Sequence, residues 1–134
     1  MSLHTDIKTE DFGTAYSEFS GKPDEAISKL LLEKNGYVPS AIYKENLGNI
    51  DFVWGKTGKD GFGLAHILER RRKTGLDEIL FIKGIPELIK NGKLTKSKHQ
   101  DRVYIISNKK ETAVIRLDYD GKKVTWLVTA YIKD

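Results

Sequence analysis

The chain has 134 residues, of which 39% are hydrophobic and 31% charged, enough to bury one real core and too few for two, so a single domain over residues 1–134 is expected. It contains no cysteine, which excludes disulfides, zinc-cysteine sites and thiol nucleophiles together. Twenty-three basic against nineteen acidic residues give a net charge of +4, compatible with a polyanionic partner but common in ordinary proteins. No apolar run is long enough to cross a bilayer and the N-terminus lacks the pattern of a signal peptide, so a soluble, cytoplasmic protein without membrane association is expected.

In chain order, residues 1–22 mix polar residues with Phe12, Tyr16 and Phe19 and predict an N-terminal arm, extended or briefly helical, packed by its aromatics. Pro23 with Asp24 and Glu25 starts a helix, Ile27, Leu30 and Leu31 give it a buried stripe, and Asn35-Gly36 ends it, predicting a helix over 23–35. Strand-like segments at about 38–44 and 49–54 flank a turn at Gly48. A glycine-rich turn then feeds a helix over about 62–73 that Gly75 closes. Residues 76–91 read as a helix interrupted near Gly84 and Pro86, because proline disfavours the helical conformation of the residue before it. A basic loop carrying Lys90, Lys93, Lys96, Lys98, His99 and Arg102 comes next.

The last third changes period. Residues 102–107, 112–119 and 124–132 alternate and are β-branched, joined at Asn108 to Glu111 and by an Asp120-Gly121-Lys122 hairpin turn. Three antiparallel strands in a meander follow, and the whole predicts an α+β protein with N-terminal helices packed on one face of a C-terminal antiparallel β-sheet. In the last strand Val124, Trp126, Val128, Ala130 and Ile132 would face the core, and Thr125, Leu127, Thr129 and Tyr131 the other side. In the strand before it Ala113, Ile115 and Leu117 form the apolar set. Arg116, Thr129 and Tyr131 then share the open face, where they would offer charge-assisted donors to a phosphate and a ring for a base. On periodicity alone, Arg116 reads equally as a solvated edge charge, and Thr129 and Tyr131 as good strand formers.

His66 stands out in the helix after the glycine turn. At about 100° per residue Leu64, Ile67 and Leu68 cluster on one side, and His66 falls roughly opposite with Arg70 and Lys73. It is therefore a candidate for chemistry rather than packing. His66 and Glu69 do not make a metal site, since no further histidine or cysteine completes a ligand set. Gly55-Lys56-Thr57 is no phosphate-binding loop either, because the glycine that motif requires five positions earlier is Ile50. Neither a metal nor another cofactor is expected. Arg70 to Lys73 and the 90–102 segment are basic runs that could track a nucleic-acid backbone or simply be solvated surface.

Several segments together resemble one family, the phage barnase/EndoU/colicin/RelE-like nuclease domains of polyvalent phage and prophage proteins. They are Glu10-Asp11-Phe12-Gly13, Phe19-Ser20-Gly21-Lys22, Glu25-Ala26-Ile27, the exit from Lys34 to Pro39, Gly48-Asn49-Ile50-Asp51-Phe52-Val53-Trp54-Gly55, Gly63-Leu64-Ala65-His66-Ile67, and Trp126-Leu127-Val128-Thr129-Ala130-Tyr131. The resemblance runs along essentially the whole chain, and its most specific stretch is the one from Ile50 to Ile67. It implies an α+β nuclease-like domain with an antiparallel sheet of about four strands, acting as a metal-independent ribonuclease of toxin or effector type. The alternative is a catalytically inactive RNA- or protein-binding module of the same fold in a phage structural or regulatory protein. The resemblance further implies His66, Arg116 and Thr129, with Tyr131 nearby, as the functional set, RNA and an immunity or antitoxin protein as partners, and a location in the cytoplasm or on a phage particle that delivers it there; the basic runs would add RNA contacts from Arg70, Lys96, Lys98 and Arg102.

Metal-free RNA cleavage requires a base for the ribose 2′-hydroxyl, an acid for the leaving 5′-oxygen, and positive charge at the phosphate. The positive end of the helix dipole favours a neutral imidazole, so His66 is better poised as base than as acid. Arg116 would stabilise the phosphate, Thr129 could donate to a non-bridging oxygen, and Tyr131 could stack on a base or supply a proton. Asp51 or Glu69 could orient the imidazole, or serve as capping charges.

Overall fold

The computed structural model of the chain describes residues 13–73, 77–107, 109–119 and 122–132. The first twelve residues with Phe12, the helix stop at Gly75, Asn108 and the Asp120-Gly121 turn lie outside the described residues. What is described of the N-terminal arm is tied down by its aromatics. Ala15 forms a lone parallel bridge with Tyr37, Tyr16 is buried, and a 3₁₀ turn over Ser17–Phe19 lays Phe19 against the core.

Helix α1 (Pro23–Glu33) begins on proline with Asp24 and Glu25 in its first turn, where carboxylates meet the positive end of the helix dipole. It stops at Lys34, which adopts the left-handed conformation (φ 55°) while its N–H donates to Leu30 O. β1 (Tyr37–Lys44) and β2 (Gly48–Val53) form a hairpin. Its register shifts between Val38 and Ile42, and there the Ser40 N–H donates to Asp51 Oδ1 at 2.7 Å. Asp51 is thus committed to holding an irregular strand.

After β2 come α2 (Gly63–Lys73), α3 (Glu78–Lys83) and α4 (Ile85–Asn91). Asp77 caps α3 by accepting from Leu80 N, and the break between α3 and α4 falls at Gly84, as the glycine and Pro86 predict. The chain then enters β3 (Lys93–Lys96), β4 (Arg102–Ile106), β5 (Glu111–Tyr119) and β6 (Lys122–Ile132). All join one six-stranded sheet in the order β1-β2-β6-β5-β4-β3. Fully buried Ile27, Leu30, Leu64, Ile67, Ile82, Ile85 and Ile89 from the helices meet Ile50, Phe52, Ile105, Ile115 and Leu127 from the strands in one cluster. Each such side chain contributes about 1.5–3 kcal/mol by leaving water. The α+β class with helices on one sheet face is as predicted.

Three expectations are corrected. The sheet has six strands rather than about four and is mixed, because the β1–β2 hairpin joins it through a parallel β2–β6 pairing at Asp51 and Trp126. Within the expected basic loop, Lys93–Lys96 is an edge strand whose Leu94 packs against the core while its lysines stay in water, a common form for an edge that must not recruit other strands. The face assignment of β6 also splits. Val114 pairs with Thr129 but Ile115 pairs with Leu127, so Val128 is an extra residue, a β-bulge. Ala130 faces the core as expected, but between the bulge and a second register shift at Arg116/Asp118 the phase inverts. Leu127 turns into the core opposite Ile115, and Trp126 turns to the open face opposite Arg116.

Thr112 is 1% exposed near the start of β5, and its Oγ1 has no hydrogen-bond partner among the described residues. A buried hydroxyl without a partner forfeits its hydration, so Thr112→Val is expected to raise stability by about 1 kcal/mol, read as a higher urea midpoint at unchanged slope.

Candidate active site

The open face of the sheet is walled on one side by the loop that carries β2 into α2. Lys56 and Phe62 pair across it, each N–H donating to the other's carbonyl at 3.0 Å, which closes a small hairpin. Where the chain crosses itself there is no room for a side chain. Gly55 has φ +75° and a Cβ there would collide with Phe62 O; Gly63 has φ +78° and its Cβ would lie 2.7 Å from the Val53 and Trp54 carbonyls. Two further hydrogen bonds tie the loop to α2. Gly58 N–H donates to Glu69 Oε1 at 3.0 Å, and Ala65 N–H donates to Trp54 O at 2.8 Å. Glu69 therefore serves the loop. Phe62 then lies on Trp126, ring centroids 6.3 Å apart and planes 16° from parallel.

Between this loop and the sheet is a cavity of about 360 Å³. The loop lines it with Lys56, Asp60, Gly61 and Phe62, and the sheet with Arg102, Arg116, Trp126 and Val128. Arg102 and Arg116 are direct cross-strand partners, a placement that costs energy for like charges. Asp101 offsets it: its Oδ1 accepts from Arg102 Nε at 3.0 Å, and its Oδ2 lies 3.3 Å from Arg102 Nη2 and 3.6 Å from Arg116 Nη2. The hydrogen bond from Arg102, with the charge of both arginines, holds the Asp101 carboxyl below its ordinary value.

His66 stands behind the loop wall. Its Nδ1 is buried, has no hydrogen-bond partner among the described residues, and would lie 2.8 Å from a Cβ placed on Gly61. Only glycine at 61 lets the imidazole approach so closely. The ring is half-buried, and its pKa is lowered first by desolvation and then by the charge of Arg70, with Glu69 pulling the other way and Arg71 adding a smaller lowering. A neutral imidazole at pH 7 follows, and with Nδ1 sealed the ring can exchange protons with a ligand only through Nε2. Arg71 itself is buried with its guanidinium 5.5 Å from the Phe81 ring centre, a packing role.

The sequence-derived candidates divide as follows. Arg116 and Arg102 converge on the cavity, and His66 abuts its Gly61 wall from behind with exposed Arg70 close enough to act on its charge. Thr129 and Tyr131 share the open face with Arg116 but do not line the cavity. Thr129 pairs with Val114 and Tyr131 with Thr112, placing them about 7 and 13 Å along the strands from the Arg116 row. Burial and the neighbouring Tyr104 push the Tyr131 phenol up. Lys96 and Lys98 sit exposed at the end of β3 and beyond it, also outside the cavity lining. Sequence reasoning met Lys56 only in rejecting a phosphate-binding loop, passed over Asp60 and Asp101, and put Trp126 on the wrong face. The glycine spacing at 55, 58, 61 and 63 was the one signal that this segment folds tightly around something. Among the described residues no three histidine, aspartate or glutamate side chains gather as a metal site.

The α+β fold with its six-stranded mixed sheet is consistent with a nuclease of the barnase/EndoU type. A family model described as phage-Barnase-EndoU-ColicinE5/D-RelE like nuclease1 matches residues 41–134, and the chain belongs to that family. The matched region runs from within β1 to the end of the chain and includes every residue of the cavity and His66. No curated protein and no solved structure matches significantly. No helix among the described residues is long and apolar enough to cross a membrane.

Two predictions follow from the geometry. Gly55→Ala should destabilise the fold by well over the roughly 1–2 kcal/mol of left-handed strain, whereas Gly58→Ala, with φ +95° but open space around it, should cost only that strain; paired thermal melts measure the difference. Asp101→Asn should lower the melting temperature by exposing the arginine pair to its own repulsion. Because the folded-state pKa of Asp101 is depressed, its contribution is full above the ordinary carboxyl value of 3.8 and lost as pH falls through the folded value. The wild-type advantage should therefore be flat from pH 5 to 7 and shrink on acidification below about pH 4 or on adding salt.

Proposed function

We propose that this nuclease-family domain is a metal-independent endoribonuclease of phage or prophage origin, of toxin or effector type, that cleaves RNA by attack of the 2′-hydroxyl and leaves a 2′,3′-cyclic phosphate. The observation that carries the reading is the Arg102–Arg116 pair in a cavity large enough for a nucleotide, with a neutral histidine against the cavity wall. His66, which abuts the Gly61 wall of the cavity, takes the proton from the 2′-hydroxyl of a nucleotide that reaches past that wall. The two guanidiniums, held in register by the strands and by Asp101, stabilise the charge that builds on the phosphate. Lys56 brings a third cation to the same cavity and can hand a proton to the departing 5′-oxygen. Thr129 and Tyr131, one and two rows further along the strands, contact nucleotides that flank the scissile phosphate, as do Arg70, Lys96 and Lys98 beyond the rim. A toxin of this kind acts in the cytoplasm of a host cell and has an immunity or antitoxin protein as its partner.

Purified protein incubated with total RNA and tRNA in EDTA should generate fragments ending in cyclic phosphate. His66→Ala and Arg116→Ala should each reduce kcat/KM by about 100-fold or more. RNA binding without any product would instead identify a non-catalytic RNA-binding module of the same fold. The pH profile is a sharper check. A base must be unprotonated, so the rate should rise with pH through the lowered His66 pKa, with the midpoint of that limb below the ordinary histidine value of 6.5. Arg70→Ala removes a charge that disfavours imidazolium, and should shift that acid limb to higher pH.

A further inference from the structure

At Gly61 the wall between His66 and the arginine cavity is a single residue thick, since Gly61 lines the cavity on one side and meets the imidazole on the other. Beyond the Lys56–Phe62 pairing the chain makes one turn, closed by the Gly61 N–H donating to Gly58 O at 3.0 Å, and Thr57 to Asp60 all stand in water. Gly61 is packed from three sides: a Cβ there would lie 2.7 Å from Lys56 O, 2.8 Å from His66 Nδ1 and 3.0 Å from Gly58 O. Gly58, at the other end of the turn, has φ +95° and open space around it. A glycine in such surroundings is not held by packing, so its position depends on a hydrogen bond.

Glu69 supplies that bond. Its Oε1 accepts from Gly58 N–H at 3.0 Å, and among the described residues it is the side chain that reaches the turn from the helix. It follows His66 by three residues, so the two project from the same face of α2. The turn is therefore held at both ends by α2, at Gly58 by a hydrogen bond and at Gly61 by contact with the imidazole. Glu69 also acts on His66 through its charge, which favours imidazolium against the opposing effects of burial, Arg70 and Arg71. The loop packed against the ring carries Lys56, Lys59 and Asp60, and the sheet beyond it Arg102 and Arg116.

We propose that Glu69 is a positioning residue of the site: its carboxylate latches the 58–61 turn onto α2 and so fixes how far His66 stands from a phosphate held by Arg102 and Arg116. The assignment rests on the reading of the cavity as the RNA site and of His66 as the base, and adds the group that sets their separation. Glu69 touches no substrate and passes no proton. A base displaced by about 1 Å loses rate, while arginines anchored by Asp101 go on holding the phosphate.

Glu69→Gln and Glu69→Ala separate the bond from the charge, because the glutamine amide oxygen can still accept from Gly58 and alanine has no acceptor. With RNA as substrate, Glu69→Ala should lose at least about tenfold in kcat on the pH plateau with KM within about twofold, and Glu69→Gln should keep kcat within about threefold of wild type. Both variants lack the anion that favours imidazolium. In both, the acid limb of the rate should therefore move to lower pH, opposite to the shift expected for Arg70→Ala. A role in folding alone would lower the melting temperature and leave limb and plateau where they were. Full plateau activity in Glu69→Ala, an equal loss in Glu69→Gln, a loss carried by KM, or an acid limb that stays in place would each overturn the assignment. Failure of the cleavage reading looks different: wild type leaves RNA intact, while NMR still shows faster amide exchange at Gly58 in Glu69→Ala alone and a His66 titration moved to lower pH in both variants.

Discussion

The backbone pairing of Lys56 with Phe62 is the constraint on which the rest of the site depends. It makes the chain double back at the end of β2, and the crossing is tight enough that Gly55 and Gly63 must both be glycine. Three consequences follow from this one pin. Phe62 is laid on Trp126, which fixes the loop to the sheet. The loop becomes a wall standing over Arg102 and Arg116 instead of a solvated tail. The first turn of α2 starts directly behind that wall, so His66 reaches Gly61 within van der Waals distance. Sheet, loop and helix meet at one place because nine residues of chain leave them no alternative.

The electrostatics of the site come from charges set where the fold makes them costly. Arg102 and Arg116 face each other across β4 and β5, and the carboxylate of Asp101 offsets their repulsion. The same carboxylate keeps both guanidiniums in position before any ligand arrives. Around His66 the balance is different. Arg70 and Arg71 are its near cations, and burial acts in the same direction, so the imidazole is held neutral by the surroundings that would attract a phosphate chain. The positive charge that would draw an anion is thus the same charge that keeps the imidazole neutral.

Much of this was legible from local pattern, and the rest failed for identifiable reasons. The helices were readable because their signals are local: Pro23 with two acids, the stripe of Ile27 and Leu30, the break at Gly84 and Pro86. His66 could be singled out because it sits off an apolar stripe within one short helix. The parallel contact of β2 with β6 joins Asp51 to Trp126, and no local feature announces a pairing between segments so far apart. β3 was hidden by its own lysines, since a charged edge strand carries little of the alternation by which strands are recognised. The bulge at Val128 was hidden for a deeper reason. Whether a strand contains an extra residue is a statement about its partner's register, so strict alternation along β6 alone had to assign Trp126 to the wrong face. Asp60 and Lys56 were invisible because their importance comes from the loop that returns them to the sheet, not from their spacing.

Sharing a face is not sharing a site. Arg116, Thr129 and Tyr131 do lie on one side of the sheet, yet each step of two residues along a strand moves about 7 Å, so three successive rows span more than one phosphate can touch. Two different parts of the chain turn this long surface into a local site. The bulge brings Trp126 and Val128 to bear beside Arg116, and the glycine loop closes over them from the other end of the same strand row, past Asp51. What remains of the open face beyond Thr129, with Tyr104 and Tyr131 as neighbours, is a continuation along the strand direction. The fold thus separates a cationic pocket from an extended aromatic and hydroxyl surface leading away from it. That division follows from strand spacing and a single inserted residue, before any property of the individual side chains is considered.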